Sequence, residues 1–303
     1  MFPKKVEISS DENDIIGIDL GTTRCCAAVN RQNGIETVAL GNTGHRLLPS
    51  WVAFDEEKDK CGEIVVERLR NYSKSTVFDV KRIIGKTFDE IKIDTSWPFD
   101  ILQLISIEPK IKFDISDDEK DDEKFLIKFY SATGLAFKYP EEISAVLLKH
   151  IKEKSEEFQA KLLTDVVITV PAAFQQKQIQ ATYKAAKIAG WKNIHFLPEP
   201  VAAAFAYFID RPIPNNSNLL LFDLGGGTLD VCIFKIQNDQ LQIIDRSGDP
   251  NIGGRDFDNL LINYFEKKLF DDFEIKISQS KRIKLMLKCQ NIKENLSTLE
   301  EDK

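Results

Sequence analysis

The residues with the clearest capacity for chemistry are two aspartates, each followed by a glycine turn. Asp19-Leu20-Gly21-Thr22-Thr23 and Asp223-Leu224-Gly225-Gly226-Gly227-Thr228 each close a short apolar run. Glycine lets a turn bring backbone N–H groups close to phosphate oxygens, and threonine hydroxyls add short donors. An aspartate at a strand end repels phosphate but can hold Mg²⁺ beside it, directly or through water. Two such turns facing one another would grip a triphosphate from both sides. The alternative is a pair of ordinary β-hairpins. Because the pattern occurs once in each half of the chain, two related lobes are expected.

The elements that must position these turns follow from periodicity. Ile15 to Leu20 is a short apolar run ending at glycine, as a buried strand would. Strand patterns continue over Cys25–Asn30, Ile35–Leu40 and Trp51–Phe54. Pro140-Glu141-Glu142 opens a helix that runs to about Phe158. Val166–Val170 reads as a strand stopped by Pro171, and residues 175–190 as a helix stopped by Gly190. A strand at Ile194–Leu197 and an Ala-rich helix at Pro200–Phe208 follow. Asn218–Asp223 and Leu229–Ile236 read as strands around the second turn, and residues 254–270 and 279–300 as helices. Strands alternating with helices predict α/β layering. Residues 1–13 read as a flexible tail, and the acidic run 116–123 as a solvated hairpin loop.

Composition narrows the class. The 303 residues amount to roughly two domains or lobes. Lys+Arg is 41 against Asp+Glu 48, a net charge of −7, which argues against a nucleic-acid partner. No apolar run reaches the ~18–20 residues of a membrane helix, and no signal peptide is visible at the start. The five cysteines, Cys25, Cys26, Cys61, Cys232 and Cys289, have no CxxC spacing and read as free thiols in a reducing compartment. Gly85-Lys86-Thr87 ends like a Walker A loop, but Val80 stands where its first glycine is required. Gly225-Gly226-Gly227 is not a GxGxxG fingerprint.

A set of ordered segments then resembles one family. They are Gly17–Thr23, Pro49–Phe54, Val77–Gly85, Val170-Pro171-Ala172, Glu199–Ala204, Phe222–Thr228 and Ile252–Asp258. Together they are similar to the 70-kilodalton heat-shock chaperone family, within the actin/hexokinase/heat-shock-protein superfamily. The Asp-Gly turns are shared with sugar kinases; Phe78–Gly85 and Gly253–Asp258 are more specific to the chaperones. The resemblance implies a two-lobed actin-like ATPase fold with ribonuclease H-like lobes. Lobe I would span 14–212, and a partial, incomplete lobe II 213–303, with no peptide-binding domain present. It implies ATP and Mg²⁺ as cofactors. Asp19 and Asp223 would hold the metal through water. Gly21, Thr22, Thr23, Gly225, Gly226, Gly227, Gly253 and Gly254 would line the nucleotide, with Lys293 and Ser297 on the adenosine helix. Lys81 matches the catalytic lysine, Glu199 an acid near the metal waters, and Thr228 and Asp230 residues around the hydrolytic water.

The departures from the family pattern are Arg24 for Tyr, Val201 for Thr, and His195, Ile179 and Glu294 for Arg. Ala173 stands for another Tyr, Gln175 and Gln176 for Asn-Asp, and Gln290 for Glu. The expected function is the ATP-binding, ATP-hydrolysing part of a chaperone that assists protein folding under stress. A second reading is a degenerate, truncated relative acting as an interaction module for co-chaperones; a third is a small-molecule kinase. ATP turnover is expected where the pocket is intact. Expected partners are J-domain co-chaperones and nucleotide-exchange factors, with unfolded clients only if a peptide-binding domain exists elsewhere, and no nucleic acid or membrane. The expected location is cytoplasmic, with the nucleus left open.

Overall fold

The computed structural model describes residues 15–31, 34–41, 43–104, 124–209, 211–212, 214–238 and 240–301. The tail 1–13 and the acidic run 116–123 lie outside the described residues. The first elements are strands β1 (Ile15–Leu20), β2 (Arg24–Arg31), β3 (Gly34–Thr37), β4 (Leu47–Pro49), β5 (Trp51–Ala53) and β6 (Lys60–Cys61). Helix α1 (Glu63–Tyr72) and strands β7 (Thr76–Phe78), β8 (Asp100–Gln103), β9 (Phe125–Ser131) and β10 (Gly134–Lys138) follow. Then come α2 (Pro140–Gln159), β11 (Asp165–Val170), α3 (Gln176–Ile188), β12 (Asn193–Pro198) and α4 (Glu199–Phe208). The last are β13 (Ser217–Leu224), β14 (Leu229–Gln237), β15 (Gln240–Asp249), α5 (Gly254–Phe273) and α6 (Gln279–Asn295).

A six-stranded mixed sheet carries the first turn. Its order is β12-β11-β1-β2-β3, with β4 also on β2. β1 runs parallel to β11 and antiparallel to β2, with Asp19 opposite both Thr169 and Cys26. Ile16, Ile18 and Leu20 alternate into the core, as the pleat requires. The parallel neighbours β11 and β12 need a crossover, and α3 supplies it. α2 begins where its sequence says: Pro140 occupies the first turn, and the Glu142 carboxylate accepts the Tyr139 N–H at 2.7 Å. Its Ile143, Leu147, Leu148 and Ile151 are buried on one face.

Three smaller sheets complete the layers: β10-β9-β8, β6-β5-β7 and β13-β14-β15. The last carries the second turn. Behind it, Ala204 of α4 packs on Cys232 and Phe234 in a small separate cluster. α6 packs on α5 and touches α1, and its Ile283, Met286 and Cys289 join the main core. Among the described residues no helix is long and apolar enough to cross a membrane. Four of the five cysteines are buried, and all are free.

Three boundaries differ from expectation by three residues or more. The strand expected to Leu40 closes at Thr37, because the chain turns with the Leu40 N–H donating to the His45 carbonyl. The helix expected to residue 300 ends at Asn295 and finishes in turns. α5 runs three residues past its expected end, to Phe273. Sequence reading left α1, β15 and the short strands β4, β6, β7, β8 and β10 unassigned.

Candidate functional site

The two glycine turns meet face to face. A Cβ on Gly226 would lie 2.3 Å from Thr23 Cγ2, and one on Gly227 2.6 Å from Thr22 Cγ2. Only glycine permits this approach. The second turn closes through the Gly225 N–H to the Thr228 carbonyl at 2.9 Å. Its carbonyls are then taken by the start of α5: Gly254 N–H donates to Gly225 and Arg255 N–H to Gly226, each at 2.9 Å. A Cβ on Gly253 would come within 2.5 Å of the Gly227 nitrogen.

Around the turns stand four carboxylates and one ammonium. Asp19 is the penultimate residue of β1, where the Thr169 hydroxyl donates to its Oδ1 at 3.4 Å. Asp223 and Asp230 are register partners across β13 and β14. Glu199 opens α4, and its Oε1 lies 2.5 Å from Lys81 Nζ, with the two side chains 14 and 10% exposed. Lys81 sits in a single 3-10 turn, Val80–Arg82. Burial pushes the Glu199 carboxyl up, against the pull of Lys81, and Asp19 and Asp230 push it further. Burial, then the neighbouring Asp19, raises Asp223; burial, then Asp223, raises Asp230. The cluster therefore holds more negative charge than Lys81 neutralises.

That surplus fits a divalent cation. Among the described residues no three His, Cys, Asp or Glu converge as direct ligands.

A second constellation, which sequence reasoning missed, locks the two halves. Arg255 and Asp79 are each 1% exposed and pair at 3.0 Å (Nε to Oδ2). The guanidinium lies over the Phe78 and Trp51 rings, 5.3 and 5.7 Å from their centroids. Trp97 Nε1 also donates to Asp79 Oδ2, at 3.3 Å. Asp79 itself takes a left-handed conformation, φ 58°, which aspartate tolerates better than most residues. Next door, Arg82 pairs with Asp256 and donates to the Gly227 carbonyl at 3.2 Å. The signal was present as opposite charges in the two most family-specific segments: Asp79, Lys81 and Arg82 in one, Arg255, Asp256 and Asp258 in the other.

The α6 residues reach the same place by a different route. Lys293 Nζ lies 2.6 Å from Asp258 Oδ1 and donates to the Gly254 carbonyl at 2.8 Å. Ser297 sits one turn later, its hydroxyl 3.5 Å from the Lys293 carbonyl. The structure thus gathers Asp19, Lys81, Glu199, Asp223 and Asp230 at the facing turns, and attaches Lys293 through the start of α5. Thr228 and Asp230 also border a cavity of about 320 Å³ lined by Ala173 and Gln175, two of the departing positions.

A mixed α/β fold with paired Asp-Gly turns belongs to the actin-like ATPase class. The comparisons with known proteins narrow this further. The chain matches the family described as Hsp70 protein over residues 15–303. It is 34% identical over 288 residues to "Heat shock 70 kDa protein" of Emericella nidulans and to its namesake in Neurospora crassa. It is equally similar to "Heat shock 70 kDa protein 2" of Paracoccidioides lutzii. Each alignment covers 93% of this chain but only 41–42% of the relative. The chain belongs to the Hsp70 family.

Proposed function

We propose that the facing turns bind Mg²⁺–ATP, and that the chain is the ATP-hydrolysing part of a heat-shock-type chaperone. We take residues 14–212 as one lobe and 213–303 as part of the other. The observation that carries this reading is the carboxylate cluster around Lys81, set against two glycine turns. Backbone N–H groups of Gly225–Gly227 and the hydroxyls of Thr22 and Thr23 would take phosphate oxygens. Asp19 and Asp223 would hold Mg²⁺ through water; when bound, it neutralises phosphate charge. Lys81, held by Glu199, would place one fixed cation beside the transferred phosphoryl group and orient the attacking water. Asp230, with its raised pKa and its hydrogen bond to Thr228, would accept or share a proton of that water. Co-chaperones, clients and a cytoplasmic location belong to this same proposal.

The altered Arg24, Gln290 and Glu294 favour a second reading, an interaction module that no longer turns ATP over. Calorimetric titration with ATP, with and without Mg²⁺, separates the two. Mg-dependent binding is expected, and its absence in a folded chain would move the reading to the module. Lys81→Ala should lower kcat about 10²–10³-fold and leave binding intact. Turnover that survives this change would remove Lys81 from the catalytic role.

A further inference from the structure

Three residues that depart from the family pattern meet in space. Arg24 is the first residue of β2, directly after Thr22-Thr23, and Glu294 is the next-to-last residue of α6, directly after Lys293. One guanidinium nitrogen of Arg24 donates to both Glu294 oxygens, at 3.0 and 3.1 Å. Gln290, one turn earlier on α6, donates to Glu294 Oε1 at 3.0 Å. Burial would lift the Glu294 carboxyl, but the Gln290 hydrogen bond, Arg24 and Lys293 together hold it below the usual range. Meanwhile Lys293 ties α6 to Gly254, and Gly254 is bonded to the second turn. The end of α6 is thus fastened to both turns, to the first by Glu294 and to the second by Lys293.

We propose that Arg24, Gln290 and Glu294 form a clasp across the cleft that sets how long a bound nucleotide stays. This rests on the reading of the cleft as a nucleotide site. Where the turns face each other their closest approaches are Thr–Gly contacts, which carry no charge, while the Arg255–Asp79 and Arg82–Asp256 pairs hold the other side of the junction. The clasp is the charged contact that must open before β2 and the end of α6 can separate. Its side chains are 44 and 42% exposed, which makes it weak enough to open in each cycle and sensitive to salt. These are positioning residues: they touch neither the carboxylate cluster nor Lys81 in the structure.

The test is a charge swap. Release of a fluorescent ADP analogue with Mg²⁺ is followed by stopped flow in the parent chain, Arg24→Glu, Glu294→Arg and the double variant. Each single variant should release about two- to tenfold faster, and the double should return to within about twofold of the parent. Added salt should speed release from the parent and the double, but not from the single variants. Amide exchange at residues 296–299 of the nucleotide-free chain reads the clasp independently. It should quicken in the single variants and recover in the double. Unchanged release in the single variants, or no recovery in the double, overturns the proposal. If the parent fails to bind, the nucleotide-site reading falls and residence control falls with it. Exchange then shows separately whether the clasp itself exists.

Discussion

The two Asp-Gly turns read almost alike but are held by different physics. β1 runs between β11 and β2, and its Ile16, Ile18 and Leu20 are buried in the main core. β13 pairs only with β14 among the described residues, and its Leu220 and Phe222 are 63 and 64% exposed. The first turn is therefore positioned by packing. The second is positioned by hydrogen bonds to its carbonyls from Gly254, Arg255 and Arg82, and by the buried Arg255–Asp79 pair behind them. One motif can thus be placed either by apolar burial or by a polar junction.

The largest effect should come from cutting that junction. Asp79→Asn removes the nearer carboxylate partner of the buried Arg255, leaving Asp258 at 3.8 Å, and should cost about 3–5 kcal/mol, read from denaturant midpoints. In the same variant, amide exchange should rise more at Gly225–Thr228 than at Gly21–Thr23; an equal rise would erase the distinction between the turns. Ile18→Ala should cost about 2–5 kcal/mol by loss of burial plus a cavity. Leu220→Ala, at the matching strand of the other turn, should stay within about 0.5 kcal/mol.

A smaller effect has the opposite sign. The folded state raises the Asp223 carboxyl, chiefly by burial and then by Asp19. A raised carboxyl binds its proton more tightly folded than unfolded. Stability is therefore lost as pH climbs from the ordinary carboxylate range through the raised value. Asp223→Asn should raise Tm at neutral pH in the metal-free chain and flatten that pH dependence. The same variant should weaken Mg-dependent nucleotide binding. A Tm that falls instead would mean the carboxylates are already compensated without metal.

How much of this was legible depends on how local the cause is. α2 could be read because Pro140, Glu142 and a long apolar stripe all lie within it. The two turns could be read because aspartate, glycine and threonine at fixed spacing already describe them, whereas Lys81, Glu199, Asp230, Gly253, Gly254, Lys293 and Ser297 came only from the resemblance to the family. α1 escaped because only Val65 and Leu69 are buried, one pair four residues apart. β15 escaped because it lies mostly exposed and carries no alternation. The junction escaped for a different reason: Asp79 and Arg255 are 176 positions apart, and neither sequence neighbourhood names its partner. The Arg24–Glu294 contact was half visible. Both residues stood out as departures, but only the folded chain makes them one feature.

The junction also gives the molecule an optical property. Of its three tryptophans, Trp51 stacks on Phe78 at 3.9 Å beneath Arg255, and Trp97 bonds to Asp79. Trp191 lies elsewhere, below Lys152. Two of the three indoles therefore flank the contact between the halves. Their emission colour and intensity would track that contact from within, with no label attached.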